Sequence, residues 1–148
     1  MPERAILLVE DNPADVTLTV RALKKASIAN EMIVARDGVE ALDYLFGTGQ
    51  YSSRNVNELP VVVLLDLKLP KVDGIEVLKR VRSAPLTKHL PVVILTSSTE
   101  ESDITTCYEF NCNSYIRKPV DFNQFAEAVK QLGLYWLILN EPPPQTKK

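Results

Sequence analysis

Acidic, hydroxyl and cationic side chains stand at the ends of apolar runs in this chain. Glu10 and Asp11 follow Ala5-Ile6-Leu7-Leu8-Val9, and Asp66 follows Val61-Val62-Val63-Leu64-Leu65. Thr96 follows Val92-Val93-Ile94-Leu95, and Arg117-Lys118-Pro119 follows Tyr115-Ile116. If these runs are parallel strands, all of those ends lie on one sheet edge, where open α/β sheets bind their ligands. Three carboxylates brought together repel unless positive charge sits among them. Lys118 supplies one charge. A divalent ion would supply more, and an all-oxygen donor set suits Mg2+. No Cys or His belongs to the group, which argues against zinc. A carboxylate nucleophile with a lysine and Mg2+ points to phosphoryl transfer through an acyl phosphate.

The elements that must position these residues alternate along the chain. Met32-Ile33-Val34-Ala35 is the remaining apolar run. The runs ending at Leu65 and Leu95 are β-branched and do not alternate with polar residues, as in strands covered on both faces. The runs at 32–35 and 115–116 are weaker and read as edge strands. Between them lie amphipathic segments. Val16, Val20 and Leu23 recur at helical spacing, with Asn12 as N-cap and Pro13 at the first helical position. Val39, Leu42, Leu45 and Phe46 form a second stripe ended by Gly47. Ile75, Leu78 and Val81 form a third, ending before Pro85. A poorer helix from about 102 to 110 turns Ile104 and Cys107 inward. A last one, from about Asp121, carries Phe125, Val129, Leu132 and Trp136. Five β-α repeats predict an α/β fold with a parallel sheet and helices on both faces. Residues 47–60 lack a period and read as a long loop.

Length and composition agree with one domain. The chain has 148 residues, 45% of them apolar, with 17 basic and 19 acidic residues and a net charge of −2. No excess of positive charge favours nucleic acid. The apolar runs are far too short to span a membrane or form a signal peptide, so a cytoplasmic protein is expected. Two cysteines, Cys107 and Cys112, give no disulfide framework and read as core or loop thiols. His89, beside Leu90-Pro91, reads as a surface-loop residue. The expected organisation is a domain over 1–140 and a Pro-rich tail over 141–148, with no room for a separate output domain.

Together, Val9-Glu10-Asp11-Asn12, Asp66-Leu67-Lys68-Leu69-Pro70, Asp73-Gly74, Thr96-Ser97 and Lys118-Pro119 resemble the receiver domain of two-component response regulators. The resemblance covers about residues 4–138, with the motifs in order. It implies a flavodoxin-like (βα)5 doubly wound sheet of strand order 2-1-3-4-5. It implies Asp66 as phosphoacceptor and Asp11 as direct Mg2+ ligand. Glu10 would act through water, and the backbone carbonyl of Lys68 would be a further ligand. Lys118 would pair with the phosphoryl group, Thr96 would hydrogen-bond it, and Ser97 would leave it room. Tyr115 matches an aromatic switch position, and the Lys118–Pro119 bond would be cis. The partner implied is a histidine kinase, with a phosphorylation-biased surface as output and an unknown downstream target.

Past the usual end of that fold comes Leu134-Tyr135-Trp136-Leu137-Ile138-Leu139. Six apolar residues in a row exceed what one helical stripe can bury, so some must face a partner. This ending, with the long loop before the third strand, resembles the single-domain response regulators of cyanobacterial phytochromes, light-sensing histidine kinases. That implies an extended last helix and a homodimer through Tyr135, Trp136, Ile138 and Leu139. Two other classes compete. A Mg2+ phosphatase of the haloacid dehalogenase type wants a second acid two residues after its nucleophile, where this chain has Lys68. A flavin-binding protein wants a Ser/Thr/Gly-rich phosphate loop where this chain has Glu10-Asp11-Asn12-Pro13.

Overall fold

The computed structural model describes residues 4–25 and 28–118. The elements run β1 (Ile6–Val9), α1 (Pro13–Lys25), β2 (Met32–Ala35), α2 (Gly38–Phe46), a 3-10 turn (Gly49–Tyr51), β3 (Val62–Leu65), α3 (Gly74–Ser83), β4 (Val92–Thr96), α4 (Glu101–Glu109) and β5 (Ser114–Arg117). The strands are all parallel, in the order β2-β1-β3-β4-β5. The weaker runs are therefore the edges, as the sequence predicted. The helix expected from Asp121, the tail, the Lys118–Pro119 bond and the interface residues Tyr135, Trp136, Ile138 and Leu139 lie outside the described residues.

Side-chain alternation divides the sheet between two cores. Leu7, Val9, Val63, Leu65, Val92 and Ile94 pack with Ala41, Leu42 and Leu45 of α2 and Val77, Leu78 and Val81 of α3. Ile6, Leu8, Val62, Leu64, Val93 and Leu95 pack with Val16, Ala22 and Leu23 of α1. Both faces of β1, β3 and β4 are covered, which is why their runs lack polar alternation. The two cysteines are buried in the first core and form no disulfide. Burial pushes the Cys107 thiol up to about 12.

The local signals for the helices hold with one correction. Asn12 Oδ1 accepts from the Ala14 N–H at 2.9 Å, ahead of Pro13. Asp37 and Asp73 cap α2 and α3 in the same way. Gly47 ends α2 in the left-handed region, with φ of 67°. Val39, however, is 39% exposed and does not belong to the buried stripe. The inward face of α2 is instead Gly38, Ala41, Leu42, Tyr44 and Leu45. The tight seat at Gly38 sets this rotation: a Cβ there would lie 1.9 Å from the Val72 carbonyl oxygen.

Two arginines organise the irregular segments. Arg54 lies 4.1 Å over the Tyr44 ring, and its Nε donates to the Tyr44 carbonyl at 2.6 Å. The 47–60 segment is thereby closed onto α2, not left as an open loop. Arg82 donates to the carbonyls of Phe110, Lys88, Leu90 and Asn111 and to Asn113 Oδ1. All five of its N–H groups are used. It ties α3 to both loops at the end of the sheet opposite Thr96. His89 stands exposed nearby.

Candidate functional site

Strand register brings the acidic ends together. Val9 of β1 stands beside Leu65 of β3, and Leu65 stands beside Ile94 of β4. Glu10 and Asp66 therefore leave the sheet side by side, and the Asp66 N–H donates to the Val9 carbonyl at 3.0 Å. Thr96 pairs with Arg117 on β5, and the Lys118 N–H donates to the Thr96 carbonyl at 2.7 Å. This fixes the backbone of Lys118 at the same edge. Its side chain reaches back across the sheet to β1.

One ammonium then meets three carboxylates. Lys118 Nζ donates to Glu10, to Asp15 Oδ2 at 2.8 Å and to Asp66 Oδ2 at 3.0 Å. The other oxygen of Asp66 accepts from the Lys68 N–H at 3.3 Å. Glu10 and Asp66 are buried and Asp11 is exposed. Carboxylate oxygens of Glu10, Asp11 and Asp66 lie within 4.8 Å of one another. Burial, reinforced by the charge of Asp66, pushes the Glu10 carboxyl up to about 7 against the pull of Lys118 and the Asn12 N–H. Burial works against the Lys118 charge, but its hydrogen bonds to the Asp15 and Glu10 carboxylates and the charges of Asp66 and Glu10 outweigh it, so the lysine is held above its ordinary value. One cation among four acids leaves excess negative charge.

These residues fit a hard divalent cation. The donors are all oxygen, three of them already converge, and the excess charge is of the sign such an ion relieves. Glu10, Asp11 and Asp66 would hold it, with the backbone carbonyl of Lys68. An open cleft of about 430 Å3 adjoins them, lined by Asp11, Lys68, Pro70, Asp73 and Asp103 among others.

Two glycines allow the loop beyond Asp66 to lie where it does. A Cβ on Gly74 would meet the Asp66 carbonyl oxygen at 2.2 Å and the Leu67 Cα at 2.6 Å. Gly38 seats Val72 from the other side. The Gly74 N–H donates to the Leu67 carbonyl at 2.9 Å, closing the turn.

Thr96 is fully buried and Ser97 is exposed. Thr96 Oγ1 accepts from the Ser98 N–H at 3.3 Å, and among the described residues its own hydroxyl donates to no other group. Tyr115 is half-buried, and its hydroxyl donates to the Ser98 carbonyl at 3.2 Å. Ser98 Oγ in turn donates to Asp103 Oδ2 at 2.6 Å, joining β4, β5 and α4 through one residue.

The structure thus gathers Glu10, Asp11, Asp66 and Lys118 in one cluster and sets Lys68 beside it. Thr96 stands at the same edge, with Tyr115 tied to the loop that follows it. Sequence reasoning missed Asp15 and Asp103. Asp15 gave no signal, because an acid in the first turn of α1 reads as ordinary helix chemistry. Asp103 had none, because α4 is weakly patterned.

Comparison with known proteins agrees with this geometry. The response regulator receiver domain model matches residues 6–130. The chain is 41% identical to the probable methanogenesis regulatory protein FilR2 of Methanothrix harundinacea over 93% of its own length and 86% of that protein's. It is 39% identical to the phosphorylated cyanobacterial phytochrome response regulator RcpA, with a TM-score of 0.89 and coverage of 96% and 99%. It is 56% identical to the bacteriophytochrome response regulator AtBRR, with a TM-score of 0.75 and coverage of 95% and 100%.

Proposed function

The chain belongs to the response regulator receiver domain family, and from that premise we propose that it accepts a phosphoryl group on Asp66 from a histidine kinase, with Mg2+ bound. It is a signalling protein of two-component type rather than a classical enzyme. The observation that carries this reading is the placement of Asp66. One carboxylate oxygen faces Lys118 Nζ and the other faces the Lys68 N–H, beside the acids Glu10 and Asp11.

Bound Mg2+ would lower the repulsion between these acids and the incoming phosphoryl oxygens. The residues do the rest. An Asp66 oxygen attacks phosphorus, forming an O–P bond as the N–P bond of the kinase phosphohistidine breaks. The bonding pair leaves with the imidazole nitrogen, which takes up a proton from solvent. Lys118 and the Thr96 hydroxyl donate to the phosphoryl oxygens, and Ser97 leaves room for them. The group adds dianionic charge at the sheet edge, Thr96 is drawn to it, and Tyr115 follows through the loop at Ser98. A local charge change then biases a two-state surface.

The light-sensing partner is part of the same proposal. Relatives named as phytochrome and bacteriophytochrome response regulators match at 39% and 56% identity over nearly the whole chain. This supports a phytochrome-type kinase as donor. A homodimer through Tyr135, Trp136, Ile138 and Leu139 would be the output surface. Sedimentation at tens of micromolar tests it, and a monomer both with and without phosphorylation refutes it. The phosphoacceptor is tested with acetyl phosphate and Mg2+. Labelling of the wild-type protein and none of Asp66→Asn is expected; equal labelling overturns the assignment.

A further inference from the structure

Asp15 enters the cluster from a helix, not from a strand end. It stands in the first turn of α1, and its carboxylate is 2.8 Å from Lys118 Nζ. Among the described residues, Lys118 is the one hydrogen-bond partner of that carboxylate. It does not cap its own helix, a task that Asn12 performs. An ammonium has three N–H donors. Glu10, Asp15 and Asp66 take one each.

We propose that Asp15 is a positioning residue that competes with the phosphoryl group for Lys118. This rests on Asp66 being the phosphoacceptor. Phosphorylation of Asp66 turns one of its oxygens into the bridging oxygen of an acyl phosphate and removes the negative charge of the carboxylate, so the donor facing Asp66 is released. The other two donors remain with Glu10 and Asp15. Glu10 is buried beside Asp66 and is itself one of the acids that would hold the cation, whereas among the described residues the Asp15 carboxylate reaches only Lys118. Its side chain is 25% exposed against 13% for Lys118, so water can take over its solvation when the lysine turns away. The Asp15 charge also opposes an arriving dianion while favouring a cation.

That opposition of signs is the test. Affinity for beryllofluoride, a phosphoryl mimic, is measured by calorimetry at saturating Mg2+, and Mg2+ affinity is measured alone. For Asp15→Asn, beryllofluoride binding should tighten about three- to tenfold and Mg2+ binding weaken about two- to fivefold, as expected for removing one nearby partly screened charge. Loss of fold would weaken both. Asp15→Glu, which keeps the charge, should restore wild-type behaviour in both titrations. Asp15→Ser is measured alongside and read as Asp15→Asn is, should the asparagine variant not fold. If wild-type protein binds beryllofluoride and a folded Asp15→Asn variant binds it equally or more weakly, the competition is overturned. If Asp66→Asn binds it as well as wild type does, the phosphoacceptor assignment itself fails.

Discussion

The α-carbon of Gly74 sits so close to Asp66 that a Cβ would lie 2.2 Å from the Asp66 carbonyl oxygen. The start of α3 thus presses on the backbone that aims the Asp66 carboxylate, the proposed phosphoacceptor. Gly74→Ala must move that backbone. A loss of about 1–3 kcal/mol in stability is expected, as for other forced overpacking. Labelling by acetyl phosphate should fall further than stability alone predicts, which initial rates at a temperature where both proteins are folded will show.

Lys118 neutralises part of an acidic cluster, so its removal should affect cation and anion oppositely. In Lys118→Met, Mg2+ should bind several-fold more tightly while phosphoryl labelling drops tenfold or more. Without metal the variant should be destabilised by about 3 kcal/mol, as when one partner of a buried pair is removed. Mg2+ at a hundred times its Kd should restore about 2.7 kcal/mol by linkage. Calorimetry and thermal unfolding with and without Mg2+ measure these effects.

Arg82 satisfies four backbone carbonyls and one side-chain oxygen at the other end of the sheet. Arg82→Ala should cost about 3 kcal/mol, because several acceptors lose a charged donor together. Mg2+ affinity should not change. Arg82→Lys should recover only part of the loss, since an ammonium cannot fork among five acceptors. Urea unfolding and metal titration separate the two effects.

The Cys107 thiol is raised from 9 to about 12 by burial, with the neighbouring Cys112 adding to it. The folded state therefore holds this proton more strongly than the unfolded chain. Its stabilising contribution is full below pH 9 and is lost as pH rises from about 9 to about 12. Cys107→Ala should show a shallower alkaline fall in stability than wild type. Alkylation of the native protein at pH 8 should be slow and should become fast in denaturant.

The elements were legible because their signals are local. Continuous β-branched runs mark β3 and β4, and caps mark α1 to α3. The strand ends carried Glu10, Asp11, Asp66, Thr96 and Lys118, so the common edge of a parallel sheet was enough to predict their meeting. Val39 misled because its spacing suits a helical stripe, while the close approach of Gly38 to Val72 decides which side of α2 turns inward. The 47–60 segment looked shapeless because Arg54 holds it through backbone carbonyls, which every residue possesses.

The sequence by itself determined the elements, the parallel architecture and which residue types stand at the active edge. Side-chain periodicity and turn chemistry act over a few residues and need no partner. Only the tertiary structure decided that Asp15 and Lys118, far apart in the chain, are 2.8 Å apart. Only it showed that Lys118 has no donor to spare and that Gly74 crowds Asp66. Strand order, register and close packing set those distances, and they arise from contacts between residues whose separation in the chain leaves no local pattern.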